Sequence, residues 1–493
     1  MQDINIPQAL SNIVHLLQYD KEAPLLFSSG LFWLLFILFI PLYALFKSSK
    51  TKMVIFVVAF SLFFYYKSSG EFVVMLLATS LIDWLISRWM IKFDSKSERL
   101  VLMWTSICIS LSVLAYFKYA NFFLWNWNQM VEGNFQPLDI VLPVGISFYT
   151  FQSISYVVDV YKKRIEPTET WLDYLFFLSF FPALVAGPIV RADKFIPQLE
   201  NNRPATLENI YGGLWLIIIG IVKKAIIADY ISQYNDLIFS DPSTYTGVQA
   251  FMGVLGYTMQ IYCDFSGYSD MAIGLALIMG FDLGLNFDSP YQSSNLTEFW
   301  RRWHISLSSW LRDYLYIPLG GNRKGTIRTY VNNFLTMLIG GLWHGAAWKF
   351  VFWGAMHGVG LAVHKACLPV LKKIPDVWPV KFLGWLVTFI YVSLLWVFFR
   401  AADFSDSVLI IRNIFVDWHW DQIPQFFEYR MVWCIMMLAL IVMHFVPQRW
   451  ADRLQLIFVK APWIVKLLVF VVVVQLVVEF MTEEVAPFIY FQF

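Results

Sequence analysis

Residues 100–117 read LVLMWTSICISLSVLAYF and carry no charged side chain. One helix needs roughly 20 mostly apolar residues to cross the hydrocarbon layer of a membrane, and an uncharged run of this length indicates such a helix. Comparable runs recur at residues 31–46, 53–66, 72–91, 140–161, 171–190, 211–228, 247–262, 271–279, 334–364, 382–399, 431–446 and 464–480. Because several are short or interrupted, we expect about 10 to 12 crossings together with re-entrant segments. The sequence therefore predicts an all-α, polytopic integral membrane protein.

The composition indicates a membrane protein and argues against one class of binding partner. Of 493 residues, 58% are hydrophobic and 14% are charged, whereas soluble domains average about 45–50% apolar and about 25% charged residues. Aromatic residues make up 19% of the chain, and such side chains favour the headgroup boundary. With 36 Lys and Arg against 35 Asp and Glu, the charge balance indicates no nucleic-acid partner. The lipid bilayer is the first expected partner.

The chain shows no linker between soluble domains, so we treat residues 1–493 as one membrane domain. It comprises N-terminal helices (1–135), a motif-bearing core (136–370) and C-terminal helices (371–493). Basic residues follow alternate early spans, at 47–52, 92–99 and 162–164. Because Lys and Arg stay in the cytoplasm, we expect the N-terminus to lie outside.

Residues 260–358 interrupt the apolar pattern with ionisable side chains. These are Asp264, Asp270, Asp288, Glu298, Arg301, Arg302, His304, Arg312, Asp313, His344 and His357. Such groups are costly at membrane depth and are usually held facing a protein interior or a water-filled cavity. We therefore expect a polar funnel or chamber in this region.

Residues 298–316 predict one amphipathic helix. On such a helix an apolar face is formed by Trp300, Trp303, His304, Leu307, Trp310, Leu311 and Tyr314. Glu298 and Arg302 lie on the other face with i,i+4 spacing for an ion pair. His304 is thus embedded in aromatic residues beside a charged face. Two interpretations remain open: a functional histidine, or an interfacial helix with a satisfied one.

A turn and a basic segment follow that helix. Pro318, Gly320, Gly321 and Asn322 are predicted to end it. Arg323, Lys324 and Arg328 come next and would suit the phosphates of a nucleotide-bearing substrate. The same residues could equally be ordinary topology signals.

Residues 340–348, GGLWHGAAW, place His344 among small residues and two indoles. Small residues allow close helix approach and could leave open space beside the imidazole. A neutral imidazole in a pocket of low dielectric can accept a hydroxyl proton near neutral pH. The alternative is a histidine that bonds a neighbouring helix's carbonyl. His357 and His364 lie seven residues apart, but no HExxH pattern accompanies them, so no metal site is predicted.

Three long motifs resemble the membrane-bound O-acyltransferase (MBOAT) family. They are QIYCDFSGYSDMAIG at 260–274, EFWRRWHISLSSWLRDYLYIPLGGNR at 298–323 and GLWHG at 341–345. Supporting matches are LPVGISFY at 142–149, AGP at 186–188 and FIYFQF at 488–493. The resemblance is closest to the bacterial branch of alginate O-acetylation proteins and covers nearly the whole chain. Cys263 departs from the aromatic residue common in relatives.

The resemblance implies a ring of membrane helices around a funnel or tunnel in the bacterial inner membrane. It implies transfer of an acyl group, most often acetyl, from a cytoplasmic thioester donor such as acetyl-CoA toward the extracytoplasmic face. No tightly bound cofactor is expected. An extracytoplasmic transferase with a serine nucleophile is the expected protein partner, and an exported, alginate-like polysaccharide is the expected acceptor.

Residue roles follow from the same resemblance. His344 matches the family's characteristic histidine and is predicted to act as general base. His304 matches a second polar position and, with Arg301 or Arg302, would orient substrate or stabilise the oxyanion. The remaining predicted tunnel-lining residues are Trp303, Trp343, Asn322, Asp264 and Asp270.

Other functions stay open at the level of sequence. Within the enzyme class they are D-alanyl transfer to teichoic acid and acetylation of peptidoglycan or cellulose. A transporter or flippase that moves an acyl carrier without making bonds would also suit interrupted helices and intramembrane charges. A scaffold that only docks a transferase would leave the histidine motifs unexplained.

Overall fold

The computed structural model describes residues 16–21, 24–185, 187–202 and 204–480. Residue 186 of the AGP match and the whole of the match at 488–493 lie outside these ranges. The chain forms two compact units. The first comprises Met1–Pro204 with Met279–Phe281, and the second comprises Ala205–Ile278 with Asp282–Phe493. The subdivision into 1–135, 136–370 and 371–493 stays a prediction, as does the funnel.

The first unit consists of helices joined by connections that range from short turns to the segment 132–145. They are α1 (Gly30–Phe46), α2 (Lys50–Ser69), α3 (Val73–Met90), α4 (Lys96–Val131), α5 (Ile146–Tyr161), α6 (Trp171–Ser179), α7 (Phe181–Leu184) and α8 (Ala192–Asn201). The Ser29 hydroxyl oxygen accepts the Phe32 N–H at 3.3 Å and so begins α1. Gly70, with φ +59°, separates α2 from α3 in a conformation that glycine adopts without a Cβ clash.

The second unit contains all three long motifs. Its helices are α9 (Leu207–Ile221), α10 (Asp229–Ser240), α11 (Gly247–Met279), α12 (Leu296–Arg302), α13 (Ile305–Leu311), α14 (Thr326–His344), α15 (Trp348–Leu371), α16 (Trp378–Arg400), α17 (Phe404–Val416), α18 (Gln422–Tyr429), α19 (Met431–His444), α20 (Gln448–Lys460) and α21 (Trp463–Phe480). Two π-helical turns, Val222–Ala228 and Arg312–Tyr316, join α9 to α10 and extend α13.

The apolar helices confirm an all-α, polytopic membrane protein, with fewer clear spans than the sequence predicts. Within the described residues, five helical stretches are long and apolar enough to cross a membrane, or six if the bent pair α18–α19 is one span. Lys50–Met90 counts once among them, although its 41 residues contain two predicted spans. Other predicted spans lie in helices that are shorter or that carry polar side chains, so they do not meet this length and composition test.

The run at 334–364 does not form one continuous span. Helix α14 ends at His344, and α15 begins at Trp348 and returns antiparallel along it. A Cβ on Gly354 would lie 2.4 Å from the Met337 carbonyl oxygen and 2.9 Å from Gly341 Cα. The glycines therefore let the two backbones touch. The space that Gly341 would open is filled by the opposing helix, whereas open space beside the His344 imidazole stays a prediction.

Candidate functional site

The predicted helix at 298–316 is broken at His304. Helix α12 ends at Arg302, α13 begins at Ile305, and His304 between them has φ +42°. This left-handed backbone is uncommon for a residue with a side chain and often marks a functional position. The single-helix prediction is therefore wrong, although most side chains of its predicted apolar face are buried. The predicted ion pair within the first turns is confirmed, with Arg302 Nη2 2.9 Å from Glu298 Oε1.

A neighbouring segment holds the break in place. The Ile305 N–H donates to the Asn286 carbonyl oxygen at 2.9 Å, and the Asp288 N–H donates to the Arg302 carbonyl oxygen at 3.0 Å. Backbone N–H and C=O groups are costly to bury without a hydrogen bond, and these two bonds satisfy such groups on both sides of His304. The pairing thus stabilises a backbone conformation that the local sequence alone disfavours.

The His304 imidazole is fully buried. Its Nδ1 lies 3.1 Å from Asn286 Oδ1, and its Nε2 has no hydrogen-bond partner in the part of the chain that the structure describes. The ring of Phe265 meets it edge-on, with centroids 4.6 Å apart. His304 lies outside the candidate spans, and burial lowers its pKa to about 3. The ring is therefore neutral at physiological pH.

His344 occupies the last position of α14 and is 5% exposed. Aromatic rings surround its imidazole: Trp343 at 5.0 Å, Trp353 at 5.1 Å and Phe399 at 5.2 Å between centroids. Each of them meets it at a steep angle, the geometry that aromatic pairs favour. The predicted lining residue Trp343 thus contacts His344 directly.

An aromatic cluster connects the surroundings of the two histidines. Trp303 packs against Trp396 with centroids 4.9 Å apart, and Trp396 stacks on Trp353 at 5.7 Å. Trp353 in turn contacts His344. Trp303, the residue before His304 in the chain, is therefore part of the wall that reaches His344. The structure places both predicted catalytic residues in one unit and separates them by indole rings.

The sequence predicts a packing or supporting role for His357 and none for His364, and the structure gives each a partner on α12. The Trp300 Nε1–H donates to His357 Nδ1 at 3.3 Å, and the His357 ring lies 4.7 Å from that of Trp353. Thr297 Oγ1 lies 2.9 Å from His364 Nδ1. The seven-residue spacing of the histidines places both on the face of α15 that meets α12.

A cavity of about 570 Å³ opens beside α12. It is lined by Thr297, Trp300, Arg301, Ile305, Ser308, Ser309, Leu311, Arg312, Tyr316, Asn333, Thr336, Met337, Leu361, Lys365 and Leu368. Three of these side chains are cationic, and none is acidic. The cavity therefore combines positive charge with an apolar wall. Arg323, Lys324 and Arg328, the basic residues that the sequence singled out, do not line it.

The predicted polar residues Asp264 and Asp270 lie in ion pairs on α11. Lys224 Nζ lies 2.6 Å from Asp264 Oδ1 and 2.8 Å from Asp229 Oδ1, and Lys223 Nζ lies 2.6 Å from Asp270 Oδ2. Both lysines belong to the π-helical turn Val222–Ala228. Buried charges in a membrane protein are normally paired in this way. Sequence reasoning missed the lysines, although two adjacent charges within an apolar run were a visible signal.

Asn322 lies exposed in the turn that follows α13. Gly320 and Gly321 have φ +112° and +54°, which confirms the predicted end of that helix. The Asn332 side chain donates to the Gly321 carbonyl oxygen at 2.9 Å and holds the turn against α14. A direct role for Asn322 in binding stays a prediction.

Comparison with known proteins assigns the chain to a family. The model of the membrane-bound O-acyltransferase family, MBOAT, matches residues 168–404. A peptidoglycan O-acetyltransferase of Helicobacter pylori is 38% identical over 380 residues, which cover 72% of each chain. The "probable alginate O-acetylase AlgI" of Azotobacter vinelandii is 42% identical over 77% of this chain and 76% of its own. The protein of that name from Pseudomonas aeruginosa is 48% identical over 60% of this chain and 57% of its own.

The matched range contains both histidines, the cavity and the aromatic cluster. Relatives that align over more than two thirds of both chains are named as transferases of acetyl groups. The chain is therefore an integral membrane enzyme of the O-acyltransferase class. It belongs to the MBOAT family, in the branch of the AlgI proteins.

Proposed function

We propose that this protein transfers an acetyl group from a cytoplasmic thioester donor to a hydroxyl of an exported, alginate-like polysaccharide in the bacterial inner membrane. The observation that carries the proposal is the pair of buried histidines, His304 and His344, within one aromatic cluster. The AlgI relatives support alginate as the acceptor. A second acceptor, peptidoglycan, is favoured by the Helicobacter pylori relative.

His344 acts as general base in this proposal. Its imidazole accepts the proton of the acceptor hydroxyl while the hydroxyl oxygen attacks the thioester carbonyl carbon. The new C–O bond forms, the C–S bond breaks, and the leaving thiolate takes the proton back from the imidazolium. A well-placed base contributes roughly 10²–10⁴-fold to the rate. The aromatic walls exclude water that would otherwise hydrolyse the thioester.

The cation-lined cavity suits the donor. Arg301 and Lys365 offer charge-assisted hydrogen bonds to phosphate groups, whereas Arg312 already pairs with Asp313, its Nε 2.8 Å from Asp313 Oδ1. The apolar lining offers a surface for the chain that carries the thioester. Acetyl-CoA has both features. It enters as a substrate, so no tightly bound cofactor is required.

An extracytoplasmic transferase with a serine nucleophile completes the proposed system. The resemblance supports this partner, because members of this branch act with such proteins. It would receive the acetyl group at the outer face and deliver it to the polymer. Co-purification of such a transferase with the full-length chain checks this part of the proposal.

The decisive experiment uses the purified protein in lipid nanodiscs, together with the co-purified extracytoplasmic transferase, radiolabelled acetyl-CoA and oligosaccharides of either acceptor. Release of CoA with label on an oligosaccharide hydroxyl is the expected result. Transport of intact donor into sealed vesicles, with no thioester cleavage, would instead identify a transporter.

Two adjacent arginines provide a matched test of the donor site. Arg301 lines the cavity, whereas Arg302 pairs with Glu298. Arg301→Ala should raise the KM for acetyl-CoA about tenfold, the effect of roughly 1.4 kcal/mol of lost binding, and Arg302→Ala should change it less. Equal effects of the two changes would contradict the placement of the phosphates.

A further inference from the structure

Asn286 is a fully buried amide that binds His304. Its Oδ1 lies 3.1 Å from His304 Nδ1, 3.2 Å from the Ser306 backbone nitrogen and 2.9 Å from Ser306 Oγ. Its Nδ2 lies 3.1 Å from Ser269 Oγ. A backbone N–H can only donate, so the amide atom that faces Ser306 must be the oxygen. This contact fixes the orientation of the Asn286 side chain.

The fixed amide decides which nitrogen of His304 carries the proton. Ser306 Oγ also lies 3.4 Å from His304 Nδ1, but its single hydrogen is directed at Asn286 Oδ1, 2.9 Å away. An unprotonated Nδ1 would therefore place its lone pair against the Asn286 oxygen, with no hydrogen between the two acceptors. A neutral imidazole has one N–H and one acceptor nitrogen. Nδ1–H therefore donates to Asn286, and Nε2 carries the lone pair. That Nε2 is the atom left without a hydrogen bond among the described residues.

We propose that Asn286 is a positioning residue that holds His304 as the Nδ1–H tautomer, so that Nε2 accepts a hydrogen bond from a hydroxyl of the acceptor. The role of the hydroxyl rests on the proposed function, whereas the tautomer does not. A neutral His304 in this state has no N–H left to donate to an oxyanion. Of the two roles that the sequence left open for His304, orientation of the acceptor is the one this tautomer allows.

The tautomer can be measured without any enzymatic assay. The full chain, labelled with ¹⁵N at its seven histidines, is reconstituted in lipid and studied by solid-state NMR. His304→Gln identifies the His304 signals by their disappearance. We expect a protonated Nδ1 and an unprotonated Nε2 in the unchanged protein. Protonation at Nε2 would overturn the proposal.

Variants of Asn286 test whether this residue sets the tautomer of His304. Asn286→Ala removes the acceptor, so His304 should become a mixture of the Nδ1–H and Nε2–H tautomers. Asn286→Asp keeps an acceptor oxygen and should keep the Nδ1–H signal. Asn295→Ala is the control, because Asn295 caps α12 through the Glu298 N–H at 2.9 Å and leaves His304 untouched. A pure Nδ1–H signal in Asn286→Ala would overturn the proposal. If Asn286→Ala does not fold, the NMR spectra of the unchanged protein and of Asn286→Asp still test the proposed tautomer.

Acetyl transfer gives a second measurement. Asn286→Ala should lower kcat/KM about tenfold to a hundredfold. In Asn286→Asp the added carboxylate stabilises the imidazolium and raises the pKa of His304. Protonated Nε2 cannot accept, so the acid limb of the pH profile should move to higher pH. An unmoved limb would overturn the role of His304 as acceptor. Absence of transfer by the unchanged protein would instead refute the proposed function and leave the tautomer measurement standing.

Discussion

His304 and His344 are both buried, but different forces hold them. His304 lies in a strained loop between two short helices, and the Asn286 amide binds its Nδ1 at 3.1 Å. His344 ends a long helix, and the rings of Trp343, Trp353 and Phe399 surround it. A hydrogen bond selects one tautomer of an imidazole, whereas ring packing selects its position and keeps water away. The two sites therefore suit different tasks, orientation and proton transfer.

The backbone shows the same contrast. A left-handed conformation costs roughly 1–2 kcal/mol for a residue with a side chain, and His304 adopts it with φ +42°. The hydrogen bonds from Ile305 and Asp288 must offset this cost. His344 pays no such cost at the end of a regular helix. Its environment depends instead on glycine contacts between α14 and α15.

Removal of the His344 imidazole should have the largest effect. His344→Ala should reduce acetyl transfer by roughly 10²–10⁴-fold, because the general base is lost. Transfer is measured with labelled acetyl-CoA, and folding by the thermal unfolding midpoint. His419→Ala is the control, since His419 is exposed and pairs only with Asp417 in the contacts described. A folded His344→Ala protein with unchanged activity would refute the role as base.

Changes at His304 separate orientation from proton transfer. His304→Ala should reduce transfer about a hundredfold, because the variant lacks the buried Nε2 that accepts a hydrogen bond from the substrate hydroxyl. His304→Gln offers an amide oxygen as acceptor and should restore part of the activity. Initial rates of the two variants at saturating donor give the comparison. Equal loss in both variants would show that the imidazole itself transfers a proton.

The close packing beside His344 can be disturbed without touching the histidine. A Cβ on Gly354 would lie 2.4 Å from the Met337 carbonyl oxygen, so Gly354→Ala forces α14 and α15 apart. We expect a loss of about 1–3 kcal/mol in the free energy of unfolding. Gly30→Ala is the matched control, because no atom lies within 4 Å of a Cβ there. Equal unfolding midpoints for the two variants would contradict the packing argument.

The smallest effect is expected at the outer end of the His304 network. Ser269→Ala removes the partner of the Asn286 Nδ2 but leaves the bond between Asn286 and His304. One net hydrogen bond contributes about 0.5–1.5 kcal/mol, which corresponds to a loss of about two- to tenfold in kcat/KM. A loss as large as that of His304→Ala would show that Ser269 contacts the substrate.

Local signals predicted a substantial part of the molecule. The apolar runs predicted an all-α membrane protein, and the i,i+4 spacing of Glu298 and Arg302 predicted their ion pair. Gly320 and Gly321 predicted the turn after α13, because glycine lacks a Cβ and adopts the positive φ angles found there. These features depend on residues close together in the chain, so their physics is visible in the sequence.

The errors concern features that distant residues decide. Periodicity favoured one helix through His304, but the segment at Asn286 pairs with the backbone there and breaks it. Gly341 suggested open space, but the backbone of α15 at Phe350 and Gly354 occupies it. Asn286 itself carried no signal, since it lies 18 residues before the histidine it binds. Propensity and spacing describe a helix in isolation and contain no information about its neighbours.

The sequence by itself determined that this chain crosses a membrane and which family it resembles, and it singled out two histidines as the catalytic candidates. A segment that crosses lipid must be a long apolar helix, and such helices are recognised from the amino-acid composition of the segment. Only the tertiary structure decided the state of those histidines. The proton on His304 is assigned by an amide from another segment, and the walls around His344 come from α15 and α16. A tautomer depends on the partner that a ring meets in space, and folding supplies that partner.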